Sequence, residues 1–237
     1  MSVLKEICNN KKLEIKSLKE KFSQSNLLEI SKYQKKPRGF KRALTSKVNN
    51  NQYALIAEVK KASPSRGIIK ENFNPKDIAT SYYKGGATCL SVLTEIKWFK
   101  GSIEYLIEIS KNISLPILRK DFMIDPWQIY ESRSIGADCI LIILAAVDDS
   151  LAEELIIQSK DLGMDVLIEA HTEKEIERAI KLNGDLIGVN NRNLKTLEID
   201  INNTIKLSKL IPKKYDIFCE SGLNTNNDLK IMEKNGI

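Results

Sequence analysis

Two lysines, three glutamates, an asparagine and an arginine stand at or just past the ends of short apolar runs. Glu58 and Lys60 close the run that opens "YALIAEVK". Lys120 closes "PILRK", and Glu169 falls at the end of "DVLIEA". Asn190 ends "LIGVN", with Arg192 just beyond, and Glu220 and Ser221 end "DIFCES". Ammonium groups deliver protons and carboxylates remove them. Crowded into one cleft, such groups shift one another's pKa values, which suits general acid–base chemistry. For any single charge the competing reading is a solvated rim with incidental ion pairs. Polar groups ending five of seven runs favour a shared cleft instead. His171, the one histidine, follows a run end and reads as a loop residue.

Two further stretches suit an anion. "KASPSRG" (61–67) offers hydroxyls, backbone amides and a lysine where an apolar run breaks into a turn, and Ser63 lies within it. Successive backbone N–H groups in a turn can hold a phosphate or carboxylate. "ESGL" (220–223) places Ser221 and Gly222 where a helix N-terminus would present its own N–H groups to an anion.

Groups spread over 160 residues need a frame that brings run ends together. The runs are "YALIAEV" (53–59), "CLSVLT" (89–94), "PILRK" (116–120), "CILIIL" (139–144), "DVLIEA" (165–170), "LIGVNN" (186–191) and "DIFCES" (216–221). Their continuous apolar character fits parallel strands buried on both faces, and amphipathic helical stretches separate them. "KGGATCLSVL" and "SIGADCILII" share a Gly-Ala-polar lead into a strand, with "DLGMDVLIE" and "LNGDLIGV" as looser versions. A glycine there ends the preceding helix in the left-handed conformation. Helix, glycine and strand recurring in this way describe βα units of a barrel or a doubly wound sheet. The closing "LKIMEKNGI" resembles the start of one more unit. The expectation is an α/β chain, a (βα)8 TIM barrel apparently cut at the start of strand eight, with unpaired edges on strands one and seven. A seven-stranded open sheet is the alternative. Residues 1–48 are expected to form a helical extension covering the barrel mouth, and 49–237 the barrel. In such barrels the C-terminal strand ends share one face, where reacting groups gather.

The 237 residues are 42% hydrophobic and 29% charged, within the range of one large globular domain. The longest apolar run, "CILIILAAV", has nine residues, too short for a membrane span. "MSVLKEICNNKK" lacks the apolar centre of a secretory signal, so the expected location is cytoplasmic. Cys8, Cys89, Cys139 and Cys219 form no C-x-x-C pair and read as thiols in a reducing compartment. With one histidine, a zinc site is not expected. Of the net charge of +6, residues 1–50 carry +9 (13 Lys and Arg against 4 Asp and Glu), leaving −3 for the rest. A basic arm raises nucleic-acid binding as an alternative. Basic residues spaced through a helical pattern, with Leu4, Ile7, Ile15, Leu18 and Phe22 inward and no aromatic interleaving, favour a solvated amphipathic helix.

Taken together, "IAEVKKASPSRG", "LSVLTEIKWFKGS", "LRKDF", "GADCILIIL", "LIEAHTEKEIERA", "GVNNRNLKTLEID" and "ESGL" resemble the indole-3-glycerol-phosphate synthase family, in family order over residues 50–223. "KKPRGFKRAL" resembles the family's lead-in to its barrel. The resemblance implies ring closure, decarboxylation and dehydration of 1-(2-carboxyphenylamino)-1-deoxyribulose 5-phosphate to indole-3-glycerol phosphate, a carboxy-lyase step of tryptophan biosynthesis. It implies no cofactor and no metal. Lys120 matches the family's catalytic lysine and is the expected general acid. Glu169 is the expected base, Lys60 a carboxylate anchor or second acid, and Glu58 a partner tuning both lysines. Asn190 and Arg192 would position substrate hydroxyls and Glu169, and Glu220 would orient its neighbours. Ser63, Ser221 and Gly222 would cradle the phosphate. Phe99 and Phe122 would line a slot for the aromatic ring, or serve as ordinary packing. The expected partner is this doubly anionic small molecule, with no nucleic acid and no membrane, and the expected state is a monomer. A phosphoribosylanthranilate-isomerase type of barrel and a non-catalytic barrel remnant are the other readings.

Overall fold

The structure, a computed structural model, describes residues 3–184, 186–194 and 196–237. Three helices come first: α1 (Val3–Lys21), α2 (Gln24–Lys32) and α3 (Phe40–Asn49). Strand β1 (Ile56–Val59) follows, then a small hairpin of β2 (Ala62–Ser63) and β3 (Gly67–Ile68). After that, helix and strand alternate: α4 (Pro75–Lys84), β4 (Cys89–Leu93), α5 (Ile103–Asn112), β5 (Ile117–Lys120), α6 (Trp127–Ser134), β6 (Cys139–Ile143), α7 (Asp149–Asp161), β7 (Asp165–Ala170), α8 (Glu173–Leu182), β8 (Leu186–Asn190), α9 (Asn202–Ser208), β9 (Asp216–Glu220) and α10 (Asn226–Lys234). All seven predicted runs are strands, the first starting three residues later than its apolar pattern. The hairpin was not foreseen, since strands of two residues carry no readable period.

The main sheet is parallel throughout, in the order β1-β4-β5-β6-β7-β8-β9. The glycine entries behave as predicted at Gly86, Gly136 and Gly163, each with positive φ after its helix. Before β8 the left-handed position is taken by Asn183 (φ 49°) rather than by Gly184.

Side chains alternate between two cores. One face of the strands, with Ala57, Val59, Leu90, Val92, Ile117, Ile140, Ile142, Val166, Ile168, Ile187 and Val189, packs against the helices. The other face, with Cys89, Leu118, Cys139, Leu141, Ile143, Leu167 and Leu186, fills the interior of the curled sheet. A strand's period of two therefore decides which polar residues point inward. Glu58, Lys60, Lys120, Glu169, Asn190 and Glu220 all share the parity of the interior set.

The curl is proved by one side chain. In a flat sheet β1 and β9 would lie roughly 29 Å apart at the usual strand spacing. The Lys120 ammonium, on β5, sits 3.5 Å from Glu58 on β1 and 2.8 Å from Glu220 on β9.

The N-terminal helices touch both ends of this barrel. Helix α1 lies by the C-terminal end of β5, where Lys11 pairs with Asp121 at 3.1 Å and Lys19 with Asp125 at 2.6 Å. Ile15 and Leu27 pack on Trp127 at the start of α6. Ile7, Lys11 and Ile15 form the buried stripe of α1. Phe22, expected inward, is exposed: α1 ends at Lys21, so the helical period no longer sets its direction, and only its backbone carbonyl meets Trp127, accepting from the indole N–H at 2.9 Å. Helix α3 closes the opposite end, its Phe40 and Leu44 packing on Cys89, Cys139 and Leu186, the first residues of three strands.

Aspartates at the strand entrances tie α3 and its lead-in down. Asp165 accepts from the Lys41 backbone N–H and Asp216 from the Thr45 hydroxyl. Asp138 accepts from the Arg38 backbone N–H (2.8 Å), the Arg38 guanidinium (2.7 and 2.8 Å) and the Ile117 backbone N–H (2.7 Å). Asp138→Ala leaves every one of those donors without its acceptor at a buried position. It is expected to cost about 3–5 kcal/mol. Urea unfolding reads this as a lower midpoint at unchanged slope.

Candidate active site

Lys120 is the hub. Its strand ends pointing inward, and its ammonium donates to Glu220 Oε2 at 2.8 Å. Glu58 Oε2 lies at 3.5 Å and Glu169 Oε2 at 3.9 Å. Burial favours the neutral amine, but the carboxylates of Glu220, Glu58 and Glu169 outweigh it and hold the lysine well above its ordinary range. Lys120 therefore carries its proton at any working pH while its side chain stays 22% exposed to the mouth.

The carboxylates around it are not equivalent. Burial pushes Glu58 up, yet Lys120 and Lys60 bring it below the ordinary value, and Lys60 forms a close ion pair with it. Glu169 is buried too, but its contact with His171, the Lys120 charge and the Asn190 amide hold it at about 2. Glu220 goes the other way. Burial and the neighbouring Glu169 charge overcome the pull of Lys120 and raise it to about 7. Two carboxyls held low, Glu58 and Glu169, and one raised, Glu220, thus flank one ammonium, the divergence expected where proton transfer is divided between groups.

Strand β8 makes room for this arrangement. Its inward residue Gly188 pairs with Phe218 of β9, and a Cβ there would lie 2.1 Å from Glu220 Oε1. The glycine is required by that close approach. Asn190, next inward on β8 and paired with Glu220, accepts through Oδ1 from the Arg192 backbone N–H and from the Ser221 hydroxyl, both at 3.0 Å. Ser221 and Gly222 both have positive φ, so the backbone turns sharply as β9 ends.

The rim is built by loops. "KASPSRG" is the β2–β3 hairpin, with Ser63 Oγ accepting from the Arg66 N–H at 3.3 Å. Ala62 N–H donates to the Phe99 carbonyl at 3.1 Å, tying the hairpin to the loop after β4. That loop is organised by Glu95, whose buried carboxylate accepts the N–H groups of Lys97, Trp98 and Phe99 at 2.8–3.0 Å. It carries the Phe99 ring to 6.2 Å from that of Phe122. The Arg192 guanidinium donates to the Leu197 carbonyl at 3.0 Å and reaches Ser65 on the hairpin at 3.4 Å.

The structure thus gathers Glu58, Lys60, Lys120, Glu169, Asn190 and Glu220 into one cluster. Ser63 and Arg192 stand on the rim, and Phe99 and Phe122 form a pair. Ser221 and Gly222 follow β9 and Ser63 lies in the hairpin after β1, so the three candidate anion residues come from the segments that leave the two edge strands of the sheet. Two features escaped the sequence reading. His171 does lie in the loop after β7, as expected, but its imidazole is 8% exposed and lies 3.3 Å from Glu169, a contact the sequence reading did not foresee. The signal was its parity, since 167, 169 and 171 continue one inward row. The second is a buried set behind Lys120, in which Asp121 binds Lys11, Arg119 and the Thr94 hydroxyl.

A curled parallel sheet wrapped by helices, with lysines and carboxylates gathered at the C-terminal strand ends, has the architecture of the TIM-barrel class of enzymes. The N-acetylmannosamine-6-phosphate 2-epimerase from Clostridium perfringens has a similar fold (TM-score 0.57, 17% identity, 77% of this chain and 82% of that one). The family model for indole-3-glycerol phosphate synthase matches residues 4–237, and the chain belongs to that family. The chain is 46% identical over 236 residues to the indole-3-glycerol phosphate synthase of Zymomonas mobilis subsp. pomaceae, covering 100% of this chain and 89% of that protein. To the protein of the same name from Rhodospirillum rubrum it is 47% identical over 231 residues, covering 97% and 88%.

Proposed function

We propose that this chain is a carboxy-lyase that converts 1-(2-carboxyphenylamino)-1-deoxyribulose 5-phosphate to indole-3-glycerol phosphate, and that it acts in tryptophan biosynthesis in the cytoplasm. The observation that carries the reading is Lys120, an ammonium within 2.8–3.9 Å of carboxylates from three strands. Membership of the family supplies the substrate.

The chemistry divides among these groups. The ring carbon bearing the carboxylate attacks the ketone carbon, and the ketone oxygen takes a proton from Lys120 as the carbon–carbon bond forms. Carbon dioxide then leaves, returning its bonding pair to the aromatic ring. The new hydroxyl departs as water with a proton from an ammonium, Lys60 or recharged Lys120. Glu169 accepts the proton that the new ring gives up. Glu220, near 7 and hydrogen-bonded to Lys120, is placed to return a proton to the spent lysine. Glu58 fixes both lysines, and Asn190 and Arg192 position the substrate hydroxyls. Ser63, Ser221 and Gly222 hold the phosphate, Lys60 meets the carboxylate, and Phe99 with Phe122 borders the ring. The test is indole fluorescence from the authentic substrate with purified chain. No product at micromolar enzyme over hours would remove the proposal.

A further inference from the structure

The geometry points to His171 as a positioning residue for this reaction: its imidazolium, wedged between Glu169 and Glu175, holds the Glu169 carboxylate ionised and turned towards Lys120. The inference rests on the proposed function.

The two oxygens of Glu169 are divided between two cations. Oε1 lies 3.3 Å from His171 Nε2, and Oε2 lies 3.9 Å from the Lys120 ammonium. The imidazole is itself held from behind. Its Nδ1 is 3.6 Å from Glu175 Oε2, and the same oxygen accepts the His171 backbone N–H at 2.6 Å. Glu175 sits in the first turn of α8, where Thr172 caps its N–H. Asn203 Nδ2 donates to the carbonyls of both His171 (3.4 Å) and Asn190 (3.2 Å), so one amide ties the histidine's backbone to that of the neighbouring strand. The ring nitrogens meet the two carboxylates at ion-pair distance without an aligned hydrogen bond, so the short stem and these backbone ties are what keep the cation beside Glu169.

The electrostatics agree with that placement. The charged groups facing the imidazole are Glu169 from β7 and Glu175 from α8, with Lys120 of β5 and Glu220 of β9 beyond Glu169. Burial favours the neutral ring, but the two carboxylates raise His171 to about 9. The sign follows. The imidazolium's contribution is complete below about 6.5, the free value, and is lost as pH rises through the folded value. Once the ring is neutral, Glu169 loses its anchor while keeping Lys120. Turnover should therefore fall on the alkaline side through His171, while Lys120 stays charged.

Because the chain has a single histidine, its imidazole C–H gives one unambiguous NMR titration that needs no substrate. In the wild type the midpoint is expected near 9, and in Glu175→Gln clearly lower. Kinetically, His171→Gln is expected to lower kcat by more than about tenfold with KM changed less than about threefold, and to abolish the alkaline limb. A wild-type midpoint at or below about 7 overturns the inference. So does a Gln variant whose kcat stays within about threefold, or one that keeps the same limb. Should His171→Gln fail to fold, the wild-type titration and Glu175→Gln still decide. A wild type that releases no indole product defeats the proposed function instead, and the titration then judges the ion pair by itself.

Discussion

Lys120→Ala is expected to lower turnover by about two to four orders of magnitude, the usual worth of a positioned general acid. Alanine removes the donor to the ketone oxygen. It also leaves Glu58, Glu169 and Glu220 facing one another without the charge that holds them together. A change this large therefore mixes two causes, and a second variant separates them. Lys120→Arg restores the positive charge but offers a guanidinium that does not give up its proton. If Lys120 acts as an acid, arginine leaves turnover close to the alanine level. If its role is only to gather the carboxylates, arginine recovers most of it. A loss below about threefold in the alanine variant sinks the assignment altogether.

The second large effect is Glu169→Gln. Glutamine keeps the shape and can still meet Lys120 and Asn190, but it accepts no proton. Turnover is expected to drop by about two to four orders of magnitude, with a much smaller change in substrate affinity. Single-turnover measurements read the two separately. An effect confined to affinity would move Glu169 from proton transfer to binding. Since Glu169 lies far below its ordinary value, at about 2, the wild-type carboxylate stays ionised across the working range. Its own ionisation should therefore leave no acid limb above about pH 4, and a limb near 7 belongs to Glu220.

Much of this was legible in the sequence because barrel strands reveal their own polarity. A buried strand that ends in Lys120 or Glu220 must turn that charge into the interior or into the helix layer, and the period of two fixes which. Hence all six groups of the cluster stood out before any coordinates. What stayed hidden depended on contacts the period does not encode. His171 lies past the end of β7, and its second partner, Glu175, comes from the next helix. The hairpin at 62–68 is too short for a pattern. The burial of Lys11 was readable in principle, since it stands between Ile7 and Ile15 at helical spacing on the apolar stripe. A lone lysine there looks like a snorkelling surface residue until Asp121 is seen beside it. The glycine at 188 was equally silent, because nothing in a strand pattern says that a carboxylate from the next strand needs the space.

The Lys11–Asp121 pair has a consequence for how the molecule is made. The two residues are 110 positions apart, so a chain synthesised from its N-terminus displays α1 long before its partner exists. Until then the lysine on the apolar stripe of that helix has only Glu14, one turn further on at 2.9 Å, as its partner. Its second acceptor, Asp121, arrives only with the residues that end the strand bearing Lys120. A contact that spans half the chain slows assembly, and here it couples the first helix to the strand that carries Lys120.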